Sequence, residues 1–225
     1  ISGNAVISPK GIVKHGLVLA LISFPEGVYC SSAFTSIRDR TPFTAGKDLS
    51  EKLLYGFKNI QRNFVLLLFD RLFEEGASFI SGLQENLGKS FPCIGASAAG
   101  QAGTSQSVLY ANTDVLTESC AGILWGGKLN FGFGIKHGWK PLGKPHTVTS
   151  AIGAIINSID NQPAVKLYED YLACDAARLK RELKKLSVAY PIGLFIPGEE
   201  EYLLRNVLSI DERGALFCQS AVPEG

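Results

Sequence analysis

Apolar positions along the chain follow two spacings, and each predicts a different kind of element. At Leu49, Leu53, Leu54 and Phe57 they recur three or four residues apart, which predicts a helix over 49–59. The same spacing at Ala77, Ile80, Leu83 and Leu87 predicts a helix over 74–87, with Gly88 suited to its C-terminal stop. Residues 164–172 and 176–186 read as two further helices. Continuous apolar runs at Val13–Phe24 and Phe64–Phe69 have the character of buried strands. Shorter strand-like pieces follow at 107–111, 120–126, 192–196, 202–210 and 215–219. Between them Leu129, Phe131, Phe133 and Ile135 alternate with Asn130, Gly132, Gly134 and Lys136, the pattern of a half-buried antiparallel strand with glycines on one face.

Long strands, flanking helices and central hairpins, with no strict strand–helix rhythm, predict an α+β fold of layered mixed and antiparallel sheets flanked by helices. The turn residues Asp160-Asn161-Gln162-Pro163 mark a boundary between residues 1–162 and 163–225. There is no internal repeat.

Composition narrows the function. The chain has 225 residues, 46% of them hydrophobic and 19% charged, so disorder is excluded. A formal charge of +1 argues against a nucleic-acid binder. The basic positions Arg178, Lys180, Arg181, Lys184 and Lys185 lie opposite Leu179, Leu183 and Leu186 on one amphipathic helix, without interleaved aromatics for base stacking. The apolar stretch Leu17–Phe24 is too short to span a bilayer, and the expectation is a soluble cytoplasmic protein. Five widely spaced cysteines, without a Cys-x-x-Cys pair, support neither a disulfide framework nor a structural zinc, and read as free thiols in a reducing compartment. The chain contains no Met, begins at Ile1 and ends on Val222-Pro223-Glu224-Gly225, which leads us to expect an incomplete sequence.

Gly95–Gly103 consists almost entirely of small residues, which let a backbone approach another backbone or a ligand closely. It is no phosphate loop, because Gln101 and Ala102 stand where Lys and Ser or Thr are needed. Gly132, Gly134 and Gly138 miss the dinucleotide-binding spacing by one residue. Gly95-Ala96-Ser97-Ala98-Ala99 is an imperfect nucleophile elbow, and a serine hydrolase would need Ser97 served by His137 or His146, with Asp160 to orient the imidazole. His137-Gly138-Trp139-Lys140-Pro141-Leu142-Gly143 is a rigid turn that offers an imidazole and an indole, either as pocket wall or as core anchor.

Taken in order, these segments resemble the FIST family of bacterial sensory domains. Phe64–Asp70 is similar to its apolar strand ending in Asp, and Phe91–Gly100 to its small-residue stretch. His137–Gly143 is similar to its His-Gly-Trp turn, followed by Val148-Thr149 and Ile159–Ala164. Tyr190-Pro191-Ile192-Gly193 and Val222–Gly225 resemble the family's C-terminal half. The resemblance implies a FIST N-type domain at 1–162 and the start of a FIST C-type domain at 163–225. It implies ligand sensing rather than catalysis: a small molecule such as an amino acid binds, and a signalling partner such as a histidine kinase responds. Gly95, Ser97, Gly100, His137, Trp139, Pro141 and Gly143 are the expected ligand-binding residues, and no metal is expected. A subset of the family binds haem and senses nitric oxide. That alternative makes His137 the first candidate axial ligand, followed by His146 and His15.

Overall fold

A threonine followed by a proline opens the first helix. In the computed structural model, which describes residues 5–9, 11–14, 16–70, 76–98, 107–198 and 201–225, Thr44 N–H donates to the Thr41 hydroxyl oxygen at 3.2 Å. Pro42 stands where a missing N–H costs nothing. Helix α1 spans Pro42–Leu54 and buries Ala45, Leu49 and Leu53 on one face. It begins well before position 49 because its first turns carry Gly46, Lys47 and Asp48, which leave no hydrophobic period to read.

The chain divides into two compact units, residues 1–132 and 133–225. In the first, β1 (Val6–Ser8) and β2 (Gly11–Val13) form a small hairpin. The main sheet uses β3 (Val28–Ser36), β4 (Arg62–Phe69), β5 (Cys93–Ser97) and, after the hairpin β6 (Leu109–Ala111) and β7 (Asp114–Leu116), β8 (Ser119–Gly127). Its order is β3-β8-β4-β5. β8 is antiparallel to both neighbours, and β4 runs parallel to β5 because helix α2 (Gly76–Leu87) returns the chain between them.

Helices α1 and α2 cover one face of this sheet. Val65, Leu67, Cys120 and Leu124 point into that layer against Leu49, Leu53, Phe79 and Leu83, all at most 2% exposed. A fully buried leucine or phenylalanine contributes about 1.5–3 kcal/mol through removal from water. Side-chain alternation sends Phe64, Leu66, Leu68, Ala121, Ile123 and Trp125 to the opposite face, where all are only partly buried.

The second unit joins β9 (Val148–Ile152), β10 (Ile155–Ile159), β11 (Gln162–Pro163), β14 (Val207–Ile210) and β15 (Leu216–Cys218) into one sheet, with β12 (Ile192–Leu194) and β13 (Leu203–Arg205) as a separate pair. Helices α3 (Val165–Leu172) and α4 (Ala176–Ala189) supply the rest of its core, chiefly Val165, Tyr168, Leu179 and Leu183 around Ile156 and Leu216. The basic side chains of α4 are exposed as its amphipathic pattern predicts.

The architecture is α+β, with mixed and antiparallel sheets and flanking helices. Two expected strands are absent. Residues 16–25 and 129–136 carry no ladder, and Leu17, Leu21 and Ile135 are more than 70% exposed. Alternation specifies an extended chain, but a strand also needs a neighbour's free edge, and Gly132 and Gly134 have open space where a side chain would stand. The turn at Asp160-Asn161 is a two-residue hairpin loop between β10 and β11, with φ of 50° and 62°, the geometry Asp and Asn tolerate best among residues with side chains. The boundary expected at 162/163 falls inside the second unit.

Candidate functional site

The first unit contains a concavity of about 770 Å³. Its walls are Ser32–Phe34 of β3, Asp48, Glu51 and Lys52 of α1 with Tyr55 just past its end, Leu68 of β4, Tyr110–Asn112 at the β6–β7 turn, and Ala121–Ile123 of β8. The floor is therefore apolar and the rim charged, a combination that suits a small ligand with a polar end.

The rim charges are held in defined places. Thr35 Oγ1 donates to Asp48 Oδ2 at 2.6 Å, Lys52 Nζ reaches the same oxygen at 2.8 Å and the Phe34 carbonyl at 3.3 Å, and Arg40 Nη1 approaches at 3.3 Å. Burial pushes the Asp48 carboxyl up, but the hydrogen bonds from Lys52 and Thr35 outweigh it and hold it below the usual carboxylate range. Glu51, by contrast, has no ion-pair partner among the described residues. Tyr55 and Tyr110, 85% and 65% exposed, line the same concavity. No helical or strand period marks these positions for a ligand; on sequence pattern alone they are the solvated face of α1 and a hairpin tip.

The residues singled out from the sequence lie elsewhere. Gly95 and Ser97 belong to β5, and Gly100 lies outside the described residues. A Cβ on Gly95 would overlap the Leu67 carbonyl, so this glycine serves close strand packing. His137, Trp139, Pro141 and Gly143 belong to the second unit. None of these described residues lines the concavity. Asp70, which carried only the family resemblance, proves to be buried at the end of β4. Its Oδ2 accepts the Glu118 N–H and its carbonyl accepts the Ser107 hydroxyl, while Oδ1 has no hydrogen-bond partner among the described residues.

The His-Gly-Trp turn is a hydrogen-bonded clamp. Trp139 N–H donates to His137 Nδ1 at 3.0 Å, so Nε2 carries the proton and donates to the Tyr202 carbonyl at 3.0 Å, with Glu201 Oε2 at 3.1 Å. Trp139 Nε1 donates to the Ala189 carbonyl at 3.3 Å. An axial haem ligand needs a free imidazole lone pair, and His137 has none to give. His146 is engaged at both nitrogens as well, and His15 lies outside the described residues. These two imidazoles do not fit the haem alternative. Among the described residues no cluster of three His, Cys, Asp or Glu side chains stands ready for a metal.

One pairing anticipated for a hydrolase does form. His146 Nδ1 donates to Asp160 Oδ2 at 2.6 Å, but the group at Nε2 is the Tyr171 hydroxyl at 3.0 Å. The Thr147 N–H at 2.9 Å and then His146 hold the Asp160 carboxyl below the usual range. Its folded value lies below the unfolded value of about 3.9, so the unfolded chain takes the proton first. The stability it contributes is present above that pH and is lost as pH falls toward the folded value. Urea midpoints measured from about pH 5 downward should fall more steeply for the native chain than for Asp160→Asn; parallel curves would remove Asp160 from the account.

These features define a class: an α+β module with a polar-rimmed concavity at the β3 edge of its first sheet. Residues 1–162 match the FIST N domain, and the chain belongs to that family, a domain family of sensory type. An uncharacterized protein of Mycobacterium tuberculosis is 26% identical over 179 residues, covering 76% of this chain and 45% of that protein. An uncharacterized protein of Methanocaldococcus jannaschii is 27% identical over 234 residues, covering 96% of this chain and 44% of that protein. The chain thus spans less than half the length of the curated relatives it matches. No helix among the described residues is long and apolar enough to cross a membrane.

Proposed function

We propose that this chain is the ligand-binding part of a bacterial cytoplasmic sensory protein, that the ligand is a small zwitterion of the amino-acid class, and that binding rather than turnover is its activity. The concavity beside α1 carries this reading. Its lining includes the fixed cation Lys52, Glu51, a carboxylate with no ion-pair partner among the described residues, and two exposed aromatic rings, Tyr55 and Tyr110. A carboxylate and aromatic faces together attract an ammonium group, and Lys52 supplies the opposite charge for a carboxylate. Residues 163–225, read as the start of a FIST C-type domain, would lead toward the part that passes the signal to a partner such as a histidine kinase. To signal at all, the ligand must bind two conformations unequally.

The test is a thermal-shift panel of the twenty amino acids at millimolar concentration, followed by calorimetry. A ligand at a hundred times its Kd stabilises by about 2.7 kcal/mol, which raises the melting midpoint by several degrees. Glu51→Gln and Tyr55→Ala are each expected to weaken binding about tenfold, a loss of about 1.4 kcal/mol. No shift with any amino acid, or unchanged affinity in both variants, would sink the reading. Loss of affinity in Trp139→Ala alone would move the site to the His-Gly-Trp turn.

A further inference from the structure

The chain of hydrogen bonds from Asp160 through His146 to Tyr171 has a chemical consequence. Asp160 Oδ2 can only accept, so His146 Nδ1 carries the proton and the ring's lone pair stands at Nε2. The Tyr171 hydroxyl donates to that lone pair at 3.0 Å. Lys144 N–H donates to the same phenolic oxygen at 3.3 Å, where negative charge grows as the proton leaves. Gly143 makes room for this: a Cβ there would overlap the phenol oxygen and ring. A carboxylate orients a base, the base faces a hydroxyl, and a backbone donor faces the oxygen.

We propose that Tyr171 is a nucleophile activated by His146, able to take an acyl group from an activated ester. The phenolic oxygen attacks the acyl carbon and forms a new C–O bond. The phenolic proton passes to His146 Nε2, and the carbon–oxygen bond to the leaving group breaks, releasing an aryloxide. Asp160 holds the resulting imidazolium without taking the proton. The product is an acyl-tyrosine, a single covalent event independent of the ligand concavity.

The probe is p-nitrophenyl acetate, added to the full chain at neutral pH, with acetylation of each tyrosine followed by peptide mass spectrometry. Exposure alone ranks Tyr55 at 85% and Tyr110 at 65% ahead of Tyr171 at 36%. Base assistance reverses that order, and Tyr171 is expected to acetylate about a hundredfold faster than Tyr55. His146→Gln should abolish the advantage without changing the rate at Tyr55, and Asp160→Asn should reduce it. Tyr168, 5% exposed, labels only if a variant unfolds, so its silence shows that the fold is intact. Labelling of the native chain in order of exposure, or a Tyr171 rate unmoved in folded His146→Gln, overturns the proposal.

Discussion

Gly46→Ala is expected to destabilise the first unit by about 3 kcal/mol, although alanine is the better helix former by about 1 kcal/mol. The two effects oppose each other, and the packing decides. Helices α1 and α2 touch through their glycines. A Cβ at position 46 would overlap the Phe79 carbonyl oxygen and lie 2.9 Å from the Leu83 nitrogen, and a Cβ at Gly82 would overlap the Phe43 carbonyl. Those obstacles are backbone atoms, which move only if a whole helix moves. A close-packed layer around Phe79, Leu49 and Leu83 resists that shift. Gly76, at the start of α2, has no atom of a more distant described residue within 4 Å of its missing Cβ, so Gly76→Ala should be neutral or slightly stabilising. Urea unfolding of the three proteins checks this: a lower midpoint for Gly46→Ala beside an unchanged or higher one for Gly76→Ala is the expected result. Equal midpoints would mean that the helices stand further apart than described.

Gly143→Ala is expected to cost the second unit a comparable amount, for a different reason. Gly143 sits at φ +78°, where a side chain costs about 1–2 kcal/mol. Its new methyl group would also displace the Tyr171 hydroxyl, breaking the bonds to Lys144 N–H and His146, each worth about 1 kcal/mol. Tyr171→Phe loses only those bonds and should cost about half as much. The comparison is made by thermal unfolding of both variants. If Gly143→Ala proves milder than Tyr171→Phe, the backbone and contact costs assigned to position 143 are wrong.

What the sequence made readable was the helix-facing half of the first unit and most of the second. α1, α2, β4 and β8 announce themselves because Leu49, Leu53, Leu67, Leu83 and Leu124 each point into one shared layer, and burial imposes a period. β3 escaped because Ser31, Ser32, Thr35 and Ser36 give it no apolar alternation; as the sheet's outer strand it is held on one side only, by β8. The segment 129–136 differs for the opposite reason, showing alternation but joining no strand ladder. At the sites the divide is similar. His146 and Asp160 are recognisable together by their chemistry, whereas Tyr171 resembles any aromatic residue in a helix, and only the approach of α3 to Gly143 reveals it. Glu51 and Lys52 on the solvated side of α1, and Tyr55 just past its end, share the lining of one concavity with Tyr110 of the β6–β7 hairpin, which no local pattern encodes.

The central claim is that a small zwitterion binds beside α1, and hydrogen–deuterium exchange of the full chain with the tightest-binding amino acid of the panel tests it most directly. The account predicts slowed exchange in peptides covering 48–55, 109–112 and 121–123, with 137–143 unchanged. Protection confined to 137–143, or absent throughout while calorimetry reports binding, would contradict it.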